Sequence, residues 1–293
     1  MNIDILLRGD TRNFLPKTII NFEKMILTPL QMDGHSLRLF YVVWSDENSK
    51  EDEILKKLSP TDFIILDKKT QYDKPGFAQW DVFCMGLDMI THHQSQDYSS
   101  DLTLVLRFDT LWKQPITNWL RPNDAWDVMV PWREYESWWN HHNRISDTFH
   151  MVRTNKIELL KAAIHSDFEH DVVRKLMSEW DIPCFLNKYD WNYKKLSYIS
   201  GMHDVNTLRG IPFMSYWLSY IGHHLYRPMV REGLNVTFAT NGFYDSNTYN
   251  TIGPKERPTI TNNPLYILVK PDVDNCIYYH DDVNISDLVR YGS

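Results

Sequence analysis

The sequence predicts an α/β fold: a mainly parallel central sheet flanked by helices, followed by an aromatic-rich C-terminal half of helices and loops. Short apolar runs alternate with helical patterns through the first half, which is the signature of βαβ units. With 293 residues, 43% of them hydrophobic, the chain can bury a full core. The aromatic share is 14%, with 11 Trp, several of them crowded between Trp132 and Trp139. The expected organisation is one domain in two halves, residues 1–165 and 166–293, with no internal repeat or low-complexity tract.

Taken in order, Ile3 to Leu7 is the first strand and Arg8-Gly9-Asp10-Thr11-Arg12 the loop after it. Phe14 to Met25 makes a short helix with Pro16 in its first turn, where a missing N–H costs nothing. Leu37 to Trp44 is the second strand, and Ser45-Asp46 caps an acidic, lysine-bearing helix that ends at Leu58. A short strand covers Phe63 to Leu66, and an apolar helix runs from Ala78 to His92. Leu102 to Phe108 is the most strongly β-patterned strand, and Trp126 to Val130 reads as a fifth. Arg133 to Arg144 is a polar, aromatic loop or helix, and Lys156 to His165 is helical. Beyond it, Phe168 to Trp180 and Phe213 to Tyr226 fit helices, while Asn241 to Pro264 is rich in Asn, Thr, Gly and Pro and reads as long loops.

Several function classes drop out. Lys and Arg total 31 against 38 Asp and Glu, a net charge of -7, which lacks the basic footprint of a nucleic-acid partner. No window approaches eighteen apolar residues, and the N-terminus lacks a basic segment followed by an apolar one, so no membrane span is expected and a cytoplasmic location is. Cys84, Cys184 and Cys276 lie far apart and suit free thiols in a reducing compartment. Asn235-Val236-Thr237 and Asn284-Ile285-Ser286 fit the glycosylation pattern but should stay unmodified there. Gly-x-Ser-x-Gly, Gly-Lys-Ser/Thr and Gly-x-Gly-x-x-Gly are all absent.

Parallel sheets place ligands outside the carboxyl ends of their strands. Those ends carry Arg8-Gly9-Asp10, Ser45-Asp46, Asp67 and Arg107-Phe108-Asp109, gathering both signs of charge on one edge. Asp109 leaves its strand placed to offer oxygen to a hard divalent cation, Mn2+ or Mg2+. Arg107, two residues earlier, points to the same side, and the two together suit a diphosphate clamp or a structural ion pair at the sheet edge. Glu134 and Glu136 occupy the Trp-rich loop as candidate proton acceptors or as solvated acids. The pairs His92-His93, His141-His142 and His223-His224 fit surface or core roles better than a metal, since neighbours cannot readily face one ion.

Leu106-Arg107-Phe108-Asp109, followed by Pro115-Ile116, resembles the corresponding segment of GT-A-type glycosyltransferases of large algal viruses (chlorovirus-like), algae and bacteria. Arg8-Gly9 with Arg12 resembles their Arg-Gly-x-x-Arg loop, Gln79 their donor-side helix, and Ile145-Ser146-Asp147-Thr148-Phe149 their x-x-Asp-x-Phe element. The resemblance spans roughly residues 1 to 165 and departs at one place: Arg107-x-Asp109 stands where the family has Asp-x-Asp. It implies a nucleotide-sugar donor, a glycan or glycoprotein acceptor, and Arg8, Gly9, Arg12, Asp46, Gln79, Arg107 and Asp109 on the donor. It also implies Asp147 as general base and His203 returning to the metal or diphosphate beside Asp109. A glycoside hydrolase with paired carboxylates and a non-catalytic carbohydrate-binding protein are the competing readings.

Overall fold

The computed structural model describes residues 1–10, 16–45, 51–67, 75–95, 98–121, 124–134, 139, 143, 145–167, 225–244 and 265–268. Strand β1 (Asn2–Asp10) is followed by helix α1 (Pro16–Phe22), a π-helical turn (Glu23–Leu27) and α2 (Thr28–Met32). Next come β2 (Ser36–Ser45), α3 (Glu51–Leu58), β3 (Asp62–Asp67), the long helix α4 (Pro75–His92) and β4 (Leu102–Arg107). Past it lie β5 (Thr110–Trp112), β6 (Val128–Val130), β7 (Arg133–Glu134), β8 (His150–Arg153) and α5 (Ile157–Asp167). Described elements of the second half are α6 (Tyr226–Arg231), β9 (Val236–Phe238), β10 (Phe243–Tyr244) and β11 (Tyr266–Leu268).

Seven strands form the central sheet in the order β3-β2-β1-β4-β8-β6-β9. β1 pairs in parallel with β2 and β4, β2 with β3, and β6 with β9, whereas β8 is antiparallel to both β4 and β6. The expected α/β class with a mainly parallel sheet is therefore the observed one.

Period-two alternation divides the strands between two apolar layers. Ile3, Ile5 and Leu7 join Tyr41, Val43, Leu104, Leu106 and Met151 on one face, beneath Ile19, Phe22, Met25, Ile26 and Leu30. Leu6 joins Phe40, Val42, Trp44, Val105 and Val152 on the other, beneath Val82, Phe83, Leu87 and Ile90 of α4 and Leu160 and Ile164 of α5. Both faces being covered explains why these strands read as almost continuous apolar runs.

Several sequence expectations shift. The helix placed at Phe14 to Met25 runs on to Met32 through the π-turn. Pro29 has no N–H for the carbonyl four residues back, and Thr28 instead donates to the carbonyl of Glu23, five residues back. Phe108, assigned to the fourth strand, lies in the turn after it, and the fifth strand covers only Val128–Val130. β8, which no local pattern marks, turns the sheet mixed at its centre. The expected helix Phe168 to Trp180, most of Phe213 to Tyr226, and most of the Asn241 to Pro264 loop lie outside the described residues.

At the amino end of β1, Asp4 is fully buried and receives two hydrogen bonds of 2.8 Å from the Arg38 guanidinium of β2 and one of 2.9 Å from Gln94. Arg38 also donates to the carbonyl of His93 and lies 3.7 Å over the Tyr98 ring. Removing one partner of such a pair strands the other in a low dielectric. Arg38→Met is expected to lower unfolding free energy by about 3 kcal/mol, measured by urea titration.

α4 meets β1 at Gly86, where a Cβ would stand 2.7 Å from one methyl carbon of fully buried Leu6 and closer still to the other. Alanine in place of glycine gains roughly 1 kcal/mol of helix propensity, but forcing a methyl into a closed core costs about 1–3 kcal/mol. With the methyls of Leu6 enclosed, the clash decides the sign. Gly86→Ala is expected to lower the midpoint of a denaturant titration, and an unchanged or raised midpoint would contradict this packing.

Candidate active site

The strand order reverses direction at β1: β2 and β3 lie to one side, and the chain then crosses over to place β4 on the other. In open α/β sheets such a switch point, at the carboxyl ends, is where the flanking loops part and a ligand is admitted. The parallel register sets Arg8 directly beside Arg107 at this edge. Both residues share a face, because each follows Leu6 or Val105 by two positions. Gly9 follows with φ of 111°, a conformation that glycine alone adopts without strain, where β1 parts from β4 while still pairing with β2 as far as Asp10.

Residues from two further segments arrive at the same edge. The turn Phe108–Asp109 folds Asp109 back on Arg107, whose Nε and Nη2 donate to the two carboxylate oxygens at 2.8 and 2.5 Å. Because β8 runs antiparallel to β4, with His150 opposite Val105, the residues that lead into β8 lie at the carboxyl end of β4. That brings in Asp147, whose backbone carbonyl accepts a 3.2 Å hydrogen bond from Nη2 of Arg8. Ser146 anchors the segment through its N–H to the Trp132 carbonyl and its hydroxyl, 2.8 Å from that of Thr148.

Electrostatics tie the four together. Arg8 is only 4% exposed, and burial, reinforced by the neighbouring charge of Arg107, lowers its pKa from the ordinary guanidinium value to about 10, while Asp147 and Asp109 act in the opposite direction. The Phe83 ring of α4 lies 4.9 Å under the guanidinium. Fully buried His150 packs on Phe83, with ring centroids 4.9 Å apart.

The other expected site residues divide. Glu134, expected as a loop acid, is fully buried on β7, where Arg133 bridges Ile145 and Glu134 is in register with Tyr244 of β10, so a solvated role is ruled out. Arg133 beside it lies 4.2 Å over the Phe238 ring. Arg133, the neighbour of Glu134, bridges Ile145, which stands two residues before Asp147. Gln79 lies on α4, as expected of a helical residue. Arg12, Asp46, Glu136 and His203 lie outside the described residues. Two neighbours of the site, His150 and Phe83, carry no signal in the sequence; only the antiparallel register of β8, invisible in the local pattern, brings His150 to this edge.

Among the described residues no group of three His, Cys, Asp or Glu converges as a metal cluster, and no helix is long and apolar enough to cross a membrane.

No protein-family model and no curated protein matches the chain. Among solved structures it is similar to the galactosyltransferase LgtC, solved with donor and acceptor sugar analogs, at 13% identity and a TM-score of 0.34, over 60% of this chain and 63% of that one. It is also similar to mouse xyloside xylosyltransferase 1, at 10% identity and a TM-score of 0.33, over 62% of this chain and 76% of that one. A third similarity is to the inositol-1-phosphate CTP transferase of T. maritima, at 11% identity and a TM-score of 0.34, over 54% of this chain and 73% of that one. This chain thus spans just under two thirds of LgtC. Overlap of this degree leaves function to be argued from the site's own residues.

Arg8 gives the site a stability signature. A guanidinium with its pKa lowered to about 10 costs the folded state on the order of 3 kcal/mol. Below pH 10 the folded and unfolded states are both protonated, so the cost is fully present. As pH rises above about 10 the folded state releases its proton first, and the cost is relieved. Arg8→Met, which keeps the packing on Phe83, is expected to leave the melting temperature at neutral pH unchanged or raised. A melting temperature lowered by more than a few degrees would show that Arg8 holds the fold together.

Proposed function

We propose that the protein is a glycosyltransferase that moves a sugar from a nucleoside diphosphate sugar to a hydroxyl of a glycan acceptor. One observation carries this reading: Arg8, Arg107, Asp109 and Asp147, from three separate segments, converge on the carboxyl edge of adjacent parallel strands at the switch point of the sheet. Two guanidiniums side by side at such an edge suit an anion with several oxygens, and a diphosphate provides it. The resemblance of the Arg8-Gly9, Arg107-x-Asp109 and Asp147 segments to GT-A-type enzymes supports the same reading. A UDP-sugar is the favoured donor, with UDP-xylose as the first pentose to try.

In the proposed reaction the acceptor hydroxyl oxygen attacks the anomeric carbon and forms the new C–O bond. The bond from that carbon to the diphosphate oxygen breaks, and the diphosphate leaves with the electron pair. Asp147 takes the hydroxyl proton. Its side chain is partly exposed, while its backbone is tied to Arg8, so it is both reachable and held. Arg8 and Arg107 stabilise the charge that grows on the leaving diphosphate. Glu134, fully buried, is the poorer proton acceptor for an incoming sugar. A hydrolase would need two carboxylates facing the substrate, and here Asp109 is committed to Arg107.

Calorimetry against UDP, GDP and their sugars is expected to show binding of a uridine nucleotide at micromolar levels. Lack of binding to every nucleotide would refute the donor site. With the donor sugar in hand, Asp147→Asn is expected to lower kcat by about a hundredfold or more while the donor Kd stays within about threefold. A variant that keeps kcat would move the base elsewhere.

A further inference from the structure

The family resemblance brings with it a divalent cation on the donor diphosphate, and Asp109 is the described residue that would hold it. Its geometry does not suit that task. Both oxygens of Asp109 already accept from one guanidinium, at 2.8 and 2.5 Å, and Arg107 stands beside Arg8 of the neighbouring strand. A hard cation binds through carboxylate oxygens, so it would have to break that bidentate pair and then sit beside two guanidiniums.

Exposure points the same way. The Arg107 side chain keeps 20% of its surface open, against 9% for Asp109. At this pair, what approaches from solvent meets the guanidinium before the carboxylate, an order that favours an anion over a cation. Charge balance agrees: where an Asp-x-Asp pair would bring two negative charges, Arg107-x-Asp109 brings none net, and Arg8 offsets the charge of Asp147. A guanidinium offers five N–H donors in a rigid fork, so Arg107 can face Asp109 with one edge and phosphate oxygens with another.

Resting on the donor-site reading above, we infer that Arg8 and Arg107 neutralise the donor diphosphate themselves, so that nucleotide binding requires no divalent cation. Arg107 then does electrostatically what the metal does elsewhere, and Asp109 serves as a positioning residue that aims it.

The test is calorimetry with UDP on the full chain, in excess EDTA and again with millimolar Mn2+ or Mg2+. The expected result is a Kd in EDTA within about threefold of the value with metal, and a loss of about tenfold or more in EDTA for Arg107→Ala, as befits a charged hydrogen-bonding group. Arg107→Lys keeps the charge without the fork and is expected to fall between wild type and Arg107→Ala, which keeps the test usable if the alanine variant does not fold. UDP binding that appears only with metal overturns the inference while leaving the donor site intact. Binding to Arg107→Ala as tight as to wild type overturns it as well. Lack of UDP binding in either condition overturns the donor-site reading and the inference with it.

Discussion

Placing two arginines side by side in a sheet is electrostatically unfavourable, and the parallel register of β1 and β4 does so with Arg8 and Arg107. Their neighbours are arranged around that cost. Asp109 folds back to bind Arg107 with both oxygens, and the Asp147 segment turns in so that its carbonyl meets Arg8. Phe83 covers the Arg8 guanidinium from α4. The antiparallel entry of β8 matters for the same reason, since it delivers residues 145–149 to the edge where the two cations need acceptors. In this sense the mixed centre of the sheet and the site are a single solution.

The molecule treats its two ends of β1 differently. At the amino end Arg38 and Asp4 neutralise each other completely, with Gln94 completing the shell of the carboxylate. That cluster is closed, and its role is to let a charged strand residue be buried. At the carboxyl end, Arg8 retains a lowered pKa because burial and Arg107 outweigh Asp147 and Asp109. Natural chains keep such a burial cost chiefly at functional sites. Having a closed cluster and an open one on the same strand isolates what is unusual about the second.

How far the fold is legible in the sequence follows from the same physics. β1, β2 and β4 were legible because both their faces are buried, and apolar runs of that length, bounded by turn residues and rich in β-branched and aromatic side chains, favour a covered strand. The convergence of Arg8 with Arg107 and Asp109 followed from one rule about carboxyl ends. β8 was not legible: His150-Met151-Val152-Arg153 is four residues long and polar at both ends, and its place is fixed by pairing with β4 and β6 rather than by its own pattern. Glu134 misled for a related reason. Flanking aromatics and charges suggested a solvated loop, whereas a two-residue pairing with β10, more than a hundred positions later in the chain, buries it. Contacts at that separation leave no trace in local periodicity.

On the proposed reading, the turn at Phe108–Asp109 makes Arg107-x-Asp109 a substitute for Asp-x-Asp rather than a loss. Period two alone would have put Arg107 and Asp109 on one side of a continuing strand, near each other but unpaired in any particular way. The strand instead ends at Arg107, Phe108 turns into the core with Leu106 and Trp112, and Asp109 swings back to a bidentate geometry. A carboxylate at the first position would repel Asp109 unless a cation lay between them. An arginine there supplies the positive charge covalently and in fixed orientation, so the turn closes on itself with the cationic edge outward. On the proposed donor-site reading, Arg107 stands where a metal ligand would and supplies the charge that a metal would bring.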